Sequence, residues 1–300
     1  MTELPEVQTT VNGINTVAKN KIIVDVWTDL KSEAKMFSST IKNPKFFSNF
    51  KKKIINGKII KAERKGKNIL IHLDNKETIL IHMKMTGHIM YGKYIYNKKE
   101  NKWMPEKGQK ALEDPYNRFI HLVFILNNGM HLVMSDTRRF AKVTLVDEDL
   151  HKELKQIGPE PLDDNFTYNV FHKNINRYPN KFIKTSLMDT RLVAGIGNIY
   201  SDEILHKAKV LPYRPVSSLN NIELKNIYKN IKPLLLDGIN FGGDSMSDYR
   251  NIYGEKGNFQ GKHKVYRRKG MNCFGKDCKG TIQRKVLNGR SSHYCPDCQK

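Results

Sequence analysis

Met188-Asp189-Thr190-Arg191-Leu192-Val193-Ala194-Gly195-Ile196-Gly197-Asn198-Ile199-Tyr200 separates two helical patterns, one around Ile183 to Asp189 and one through Asp202-Glu203-Ile204-Leu205. Two glycines ahead of a helix let exposed amides approach a phosphate. Asn198 can cap that helix while its side-chain amide faces a nucleic-acid backbone. The same residues also read as a plain helix connection with a cap, so the rest of the chain has to decide between the two.

Charge points the same way. The 300 residues carry 52 Lys and Arg against 30 Asp and Glu, a formal net charge of +22. A field of that sign draws in polyanions, nucleic acid first among them. A Lys- and Asn-rich composition that follows genome base content would give the same number without any partner. No apolar run approaches the ~20 residues needed to span a bilayer, and the start lacks the basic-then-apolar order of a signal peptide. The chain is therefore expected to be intracellular, cytoplasmic and at the nucleoid if prokaryotic. A length of 300 residues suits two cores and a small module.

Upstream of the helical region, residues 22–146 read as β-rich. Ile69, Ile71 and Leu73 alternate with Leu70, His72 and Asp74, Asp74-Asn75-Lys76 forms a turn, and Thr78 to His82 resumes the apolar run. Phe119 to Leu126 and Met130 to Met134 flank Asn127-Asn128-Gly129 as a second hairpin. An antiparallel sandwich is the simplest way to bury such strands. Residues 91–118 are polar and rich in Lys, Asn and Tyr, as a long surface loop would be. Ile157-Gly158-Pro159-Glu160-Pro161-Leu162 marks the boundary to helical sequence. Leu224, Ile227, Tyr228, Ile231, Leu234 and Leu235 then trace an amphipathic helix with a kink expected at Pro233. The glycine-rich stretch 242–261 reads as mobile. The fold class is α+β and multi-domain: an N-terminal antiparallel β-sandwich with a flanking helix over 1–150, a helical domain over 151–262, and a metal-binding β-hairpin over 263–300.

Chemistry gathers at the two ends. If Met1 is removed, Thr2 carries a free α-amine with a pKa near ~8, able to attack an electrophilic carbon, and Glu3 beside it can move protons. Val7, Val11, Ile14 and Val17 recur at helical spacing behind Pro5, so a helix dipole would orient Glu3 and Glu6. At the other end all four cysteines fall in the last 28 residues. Cys273-x4-Cys278 and Cys295-x2-Cys298, sixteen residues apart, fit a four-thiolate zinc site, with paired disulfides as the alternative. Between these pairs, Asn288-Gly289-Arg290 places an arginine on a turn, where it could reach a phosphate.

Taken together, the start Thr2-Glu3-Leu4-Pro5-Glu6, the Met188–Tyr200 stretch and the cysteine module resemble the formamidopyrimidine-DNA glycosylase and endonuclease VIII family. The 188–200 stretch is similar to that family's helix–two-turn–helix, and the cysteine module to its C-terminal zinc finger. The resemblance implies a base-excision-repair enzyme that removes oxidised or ring-opened purines from duplex DNA. It implies an attack of the N-terminal amine on the sugar C1′, a Schiff base, and strand cleavage by elimination. Thr2, Glu3, Lys67 and Arg290 would carry the reaction. His82-Met83-Lys84-Met85-Thr86-Gly87 and Asp136-Thr137-Arg138-Arg139-Phe140 resemble the segments that place Met85, Arg138 and Phe140 into the duplex, since a base must leave the stack to be processed. Glu6, His82, Lys184, Asn198 and Tyr266 complete the implied DNA-contacting set, and Lys181 adds charge beside Lys184. Residues 242–250 lie where relatives that act on oxidised guanine carry a base-capping loop, with Tyr249 suited to closing over a flipped base.

The chain departs from the family's pattern at Thr2, where proline is usual, and at Lys84, beside the implied wedge methionine Met85. Phe119 replaces a phosphate-binding histidine and Ala141 a glycine. Thr2 changes the chemistry most, because a threonine amine gives an imine that must be protonated to draw electrons, whereas proline gives a permanently charged iminium. The competing reading is a non-catalytic or lyase-impaired DNA-binding relative that kept the clamp and finger; on either reading the protein is expected to be a monomer on damaged duplex DNA.

Overall fold

The computed structural model describes residues 2–300. They form two compact units, residues 2–152 with Phe241–Asn258 and Glu153–Asn240 with Phe259–Lys300. The first unit holds helices α1 (Leu4–Val17) and α2 (Pro44–Ile54) and ten strands. These are β1 (Ile23–Thr28), β2 (Ile59–Lys65), β3 (Asn68–Leu73), β4 (Thr78–His82), β5 (His88–Gly92), β6 (Tyr94–Asn97), β7 (Lys102–Pro105), β8 (Ile120–Leu126), β9 (His131–Ser135) and β10 (Lys142–Leu145). Two antiparallel four-stranded sheets result, in the orders β1-β8-β9-β5 and β10-β4-β3-β2.

Period-two patterning explains the sandwich. Ile69, Ile71 and Leu73 of β3 meet Leu122 and Phe124 of β8 and Leu132 and Met134 of β9 in one core. The intervening Val123 and Val133 face a second cluster with Met90, Tyr94 and Leu112. Each fully buried aliphatic side chain contributes roughly 1.5–3 kcal/mol. The sheet containing β8 is thus covered on both faces. That is why residues 91–118 are not a bare loop: β6 and β7 pair as a hairpin, and Tyr96 and Trp103 pack on Trp27 with ring centroids 6.0 and 6.3 Å away. Polar composition concealed these two aromatic contacts to Trp27, which only a folded sheet could supply.

Helix α1 buries Val7, Val11 and Ile14, residues four and three apart on one face, against the same core. Ile252 joins that core although it lies far downstream. The glycine-rich stretch is therefore anchored rather than mobile along its length, with Tyr249 at 5%, Arg250 at 0% and Ile252 at 2% exposure. Arg250 is held by Asp114 at 2.9 Å. Gly13 makes room for Ile252, since a Cβ on Gly13 would stand 2.6 Å from the Ile252 Cβ.

The chain enters the second unit through α3 (Glu148–Lys155), followed by α4 (Tyr168–Ile175), α5 (Ile183–Leu187), α6 (Asn198–Lys207) and α7 (Asn221–Asn240). Helix α7 continues through Pro233 and stops before Gly242, whose φ of 73° is left-handed. Tyr200 of α6 is fully buried and stacks on Phe259 at 5.0 Å. Gly238 of α7 accommodates the Tyr200 ring, which any Cβ there would strike. The hairpin of β11 (Gln283–Leu287) and β12 (Arg290–Tyr294) turns at Asn288 and Gly289, with φ of 46° and 74°, as two-residue hairpins of this handedness require.

A prediction follows from the contact between Gly13 and Ile252. Gly13→Ala should lower the stability of the first unit by about 1–3 kcal/mol through overpacking, read from urea midpoints. An unchanged midpoint would show that α1 and residues 249–252 are not packed as described.

Candidate functional site

The start of α1 is built around three buried residues. Thr2 is 3% exposed, Glu3 0% and Glu6 1%. Glu3 caps the helix in a reciprocal box, its side chain accepting from the Glu6 amide while Glu6 Oε2 accepts from the Glu3 amide at 2.7 Å. The Thr2 backbone nitrogen and hydroxyl both donate to the Lys84 carbonyl, at 3.3 and 3.0 Å. Glu6 Oε1 accepts from the Asp244 amide at 2.8 Å, and the Tyr249 hydroxyl donates to the Glu6 carbonyl at 3.1 Å. Tyr249 thus supports the helix start and is not available to close over a base. Burial, reinforced by the Glu3 charge, pushes the Glu6 carboxyl up to about 7.

Beside this start lies a basic group. His82 accepts at Nδ1 from the Lys84 amide at 3.0 Å, and burial together with the charges of Lys84 and Lys67 pushes its pKa down to about 3. His82 is consequently neutral at physiological pH. Lys67 follows Gly66, left-handed at 58°, in the turn between β2 and β3.

Arg138 and Phe140 project from the turn after β9. Phe140 is 50% exposed, and the Arg138 guanidinium lies 4.5 Å from its ring centroid. Buried Asp136, which the sequence reading missed, organises this turn. Its Oδ2 accepts from the Ala141 amide at 2.7 Å, its Oδ1 from the Arg138 amide at 3.3 Å, and the Thr86 hydroxyl bonds it as well. Asp136 therefore ties the segment carrying Met85 to the one carrying Arg138 and Phe140. A cleft of about 720 Å³ adjoins both, lined by Phe37, Lys42, Lys84, Met85, Phe140 and Lys142 among others. Its walls combine apolar surface with four lysines, counting Lys31, a character suited to nucleic acid.

In the second unit, Gly195 takes the left-handed φ of 80° and Gly197 is the N-cap of α6. Asn198 is the first helical residue and not the cap, because glycine's extended backbone already turns the chain into the helix. Its Oδ1 is buried with no hydrogen-bond partner among the described residues. Lys184, which the resemblance implies as a DNA contact, is buried at 1% exposure, its Nζ donating to Asp202 Oδ1 and to the Ser291 carbonyl, both at 2.7 Å. A charge in that setting must be paired. Lys181 is likewise bound to Asp189, whose carboxyl is held below the usual range by Arg191, with a further contribution from Lys181. Arg290 stands exposed at the start of β12, next to the anchored Ser291.

Two further carboxylates on α6 lay hidden in what read as a bare helical pattern. Asp202 Oδ2 accepts from the His293 amide at 2.9 Å. Glu203 accepts from the amides of Lys264, Val265 and Tyr266 at 2.9 to 3.0 Å. Tyr266 is thereby held at the base of the finger, edge-on to His293 at 5.2 Å.

The four cysteine sulfurs lie within 4.8 Å of one another, with Cys273 and Cys298 3.7 Å apart and Cys278 and Cys295 3.6 Å apart. Ligands about 2.3 Å from a tetrahedral zinc stand roughly 3.8 Å from each other, whereas a disulfide requires about 2.05 Å. The donor set fits zinc. His206 Nε2, 3.3 Å from the Cys273 sulfur, is placed to donate to that thiolate.

Residues 1–143 match the formamidopyrimidine-DNA glycosylase N-terminal domain, residues 157–250 its H2TH domain, and residues 276–300 the zinc finger found in FPG and IleRS. The formamidopyrimidine-DNA glycosylase of Pelotomaculum thermopropionicum is 35% identical over 303 residues, which cover 100% of this chain and 99% of the relative. The chain belongs to the formamidopyrimidine-DNA glycosylase family. Among solved structures, the Lactococcus lactis Fpg in complex with abasic-site DNA aligns at a TM-score of 0.81 with 26% identity, over 99% of each chain. A Lactococcus lactis Fpg variant in complex with DNA containing Fapy-dG aligns at the same TM-score, 0.81, with 26% identity and 99% coverage of each chain. Family membership makes the chain a DNA-repair glycosylase with a structural zinc finger. None of the described helices is long and apolar enough to cross a membrane.

Two predictions test the site. Folded Glu6 keeps its proton up to about 7, whereas the unfolded chain releases it near 4.5. The folded state therefore binds more protons between those values, and stability falls as pH rises through that window, by up to about 3 kcal/mol. Glu6→Gln should flatten this slope relative to the parent in urea titrations across pH 4.5–7, and parallel slopes would contradict it. Separately, Cys295→Ser should abolish zinc retention and weaken binding to abasic DNA while leaving the β-sheet signal of the first unit intact, as read by metal analysis and circular dichroism. Retained zinc would refute the four-thiolate site.

Proposed function

We propose that this protein is a base-excision-repair DNA glycosylase and abasic-site lyase for oxidised or ring-opened purines, with the Thr2 α-amine as nucleophile after loss of Met1. The observation that carries this reading is the buried arrangement at the helix start. Thr2 rests on the Lys84 carbonyl directly ahead of Glu3, and Glu3 is 0% exposed. An amine fixed in this way meets a sugar carbon without first having to be oriented. Attack on C1′ expels the base, and loss of the ring oxygen from C1′ leaves an imine. Glu3 delivers and removes the protons, and elimination then breaks the strand. Lys67 and Arg290 bind the flanking phosphates. Met85, Arg138 and Phe140 fill the space of the extruded nucleotide, and the exposure of Phe140 suits that task.

The purine preference is supported by the Fapy-dG DNA in the Lactococcus lactis complex and by the stretch at residues 242–250. Within that stretch Met246, 37% exposed, is free to meet a base, in contrast to Tyr249. The protein acts as a monomer on damaged duplex DNA inside the cell, at the cytoplasmic nucleoid if its source is prokaryotic. The binding-only alternative is not favoured, because relatives named as glycosylases match along the whole chain.

Because Thr2 is a primary amine, its imine must be protonated before elimination. Base release should therefore outpace strand nicking on an oxidised-guanine duplex in single-turnover assays; equal rates would overturn this. Borohydride trapping on an abasic duplex should give an adduct that maps to Thr2 of Met-free protein. Tight binding without an adduct would favour a clamp that lost its chemistry.

A further inference from the structure

The residue that holds Thr2 carries an amine of its own. Lys84 has both backbone groups engaged at the site, its carbonyl accepting from Thr2 and its amide donating to His82 Nδ1 at 3.0 Å. Its φ of 57° is left-handed, an uncommon conformation for a residue with a Cβ, and the two hydrogen bonds hold it there. Lys84 lines the cleft beside Met85 and Phe140, and its charge, with those of Lys67 and Lys142, acts on His82.

Reach is not a barrier. A carbon bonded to the Thr2 nitrogen would lie next to the Lys84 carbonyl, which is 3.3 Å from that nitrogen. The four-carbon stem of lysine is longer than that separation, and the Lys84 charge is felt at His82 together with that of Lys67. Nor does the amine's chemistry disfavour it. Partial burial, and secondarily the Lys142 charge, hold the Lys84 amine below the ordinary lysine value, which raises its unprotonated fraction. A proline nucleophile would surpass any lysine, because its iminium stays charged. Thr2 has no such advantage, since Thr2 and Lys84 are both primary amines and form the same kind of imine.

We propose that Lys84 is a second Schiff-base nucleophile of this enzyme, acting on the C1′ aldehyde of an abasic sugar when the chain's α-amine is not in place. The inference rests on the abasic-sugar chemistry of the preceding reading. Lys84 Nζ adds to C1′, and the carbinolamine loses water to form a protonated imine. A base of the site takes a C2′ proton, the C3′–O bond breaks with its electron pair leaving on the phosphate, and hydrolysis of the imine restores the amine. No oxidant or further reactant is needed. Retention of Met1, which displaces the α-amine by one residue, would make Lys84 the principal nucleophile.

The test uses the full-length protein in two forms: native, and extended by a short uncleaved Gly-Ser segment ahead of Met1 so that the α-amine is moved out of the site. Each is incubated with an abasic duplex and borohydride, and the adduct is mapped by mass spectrometry. The extended protein is expected to give an adduct on Lys84. It should disappear in Lys84→Met and also in Lys84→Arg, which keeps the positive charge and should keep the affinity for the duplex. An adduct on the native Thr2 amine with none on the extended protein would overturn the Lys84 proposal and leave the Thr2 reading standing. No adduct on either form, with binding retained, would overturn both. An adduct on Lys67 in the extended protein would also overturn the assignment to Lys84.

Discussion

A carboxylate removed from water has to find donors, and Glu6 has its two oxygens on backbone amides from opposite ends of the first unit's sequence. One belongs to Glu3 and the other to Asp244. This single side chain sets the start of α1 and brings the stretch from Phe241 onto it. The nearby ring of Tyr249, whose hydroxyl reaches the Glu6 carbonyl, strengthens the join. Desolvation makes the arrangement costly for a charged group, and proximity to Glu3 adds to that cost. Evolution would not need so expensive a device merely to begin a helix, which a serine or aspartate cap achieves at the surface. Its effect is to fix the chain's first residues in position beside His82 and Lys84.

The second unit follows the same logic, again with buried carboxylates. Asp202 and Glu203, adjacent on α6, each face a different part of the finger. Asp202 joins Lys184 and His293, while Glu203 collects three consecutive amides. Fixing the hairpin through buried hydrogen bonds leaves its tip, with Arg290, turned to solvent. The four-cysteine zinc site meets the same helix through His206, 3.3 Å from the Cys273 sulfur. Much of the formal charge of +22 remains exposed for a polyanion, yet some of the most suggestive cations are internal struts. Buried Lys184 illustrates how little a basic residue in a motif says about where its charge is used.

Legibility followed the range of the interaction. The strand around Ile69–Leu73 could be read because alternation is local, the strand ending at Leu126 because a glycine-marked turn follows it, and the zinc site because its ligands come in close pairs. Gly195 before a helix signalled its turn for the same reason. By contrast, the β6–β7 hairpin depends on Trp27, and the burial of residues 249–252 depends on α1. Neither contact leaves a periodic trace. Asp136 was passed over because an aspartate before Thr137-Arg138-Arg139 looks like one more polar residue in a turn.

The amino-acid sequence by itself determined the order of the parts: a Thr-Glu-Leu-Pro-Glu helix start, a β-rich half, a glycine-marked helical turn and a cysteine module. These follow from bonding and spacing within a few residues. Tertiary structure alone decided which charges are buried, what holds Thr2, and where the glycine-rich stretch packs. Desolvation and pairing depend on neighbours brought together across the fold, and no window of sequence contains them.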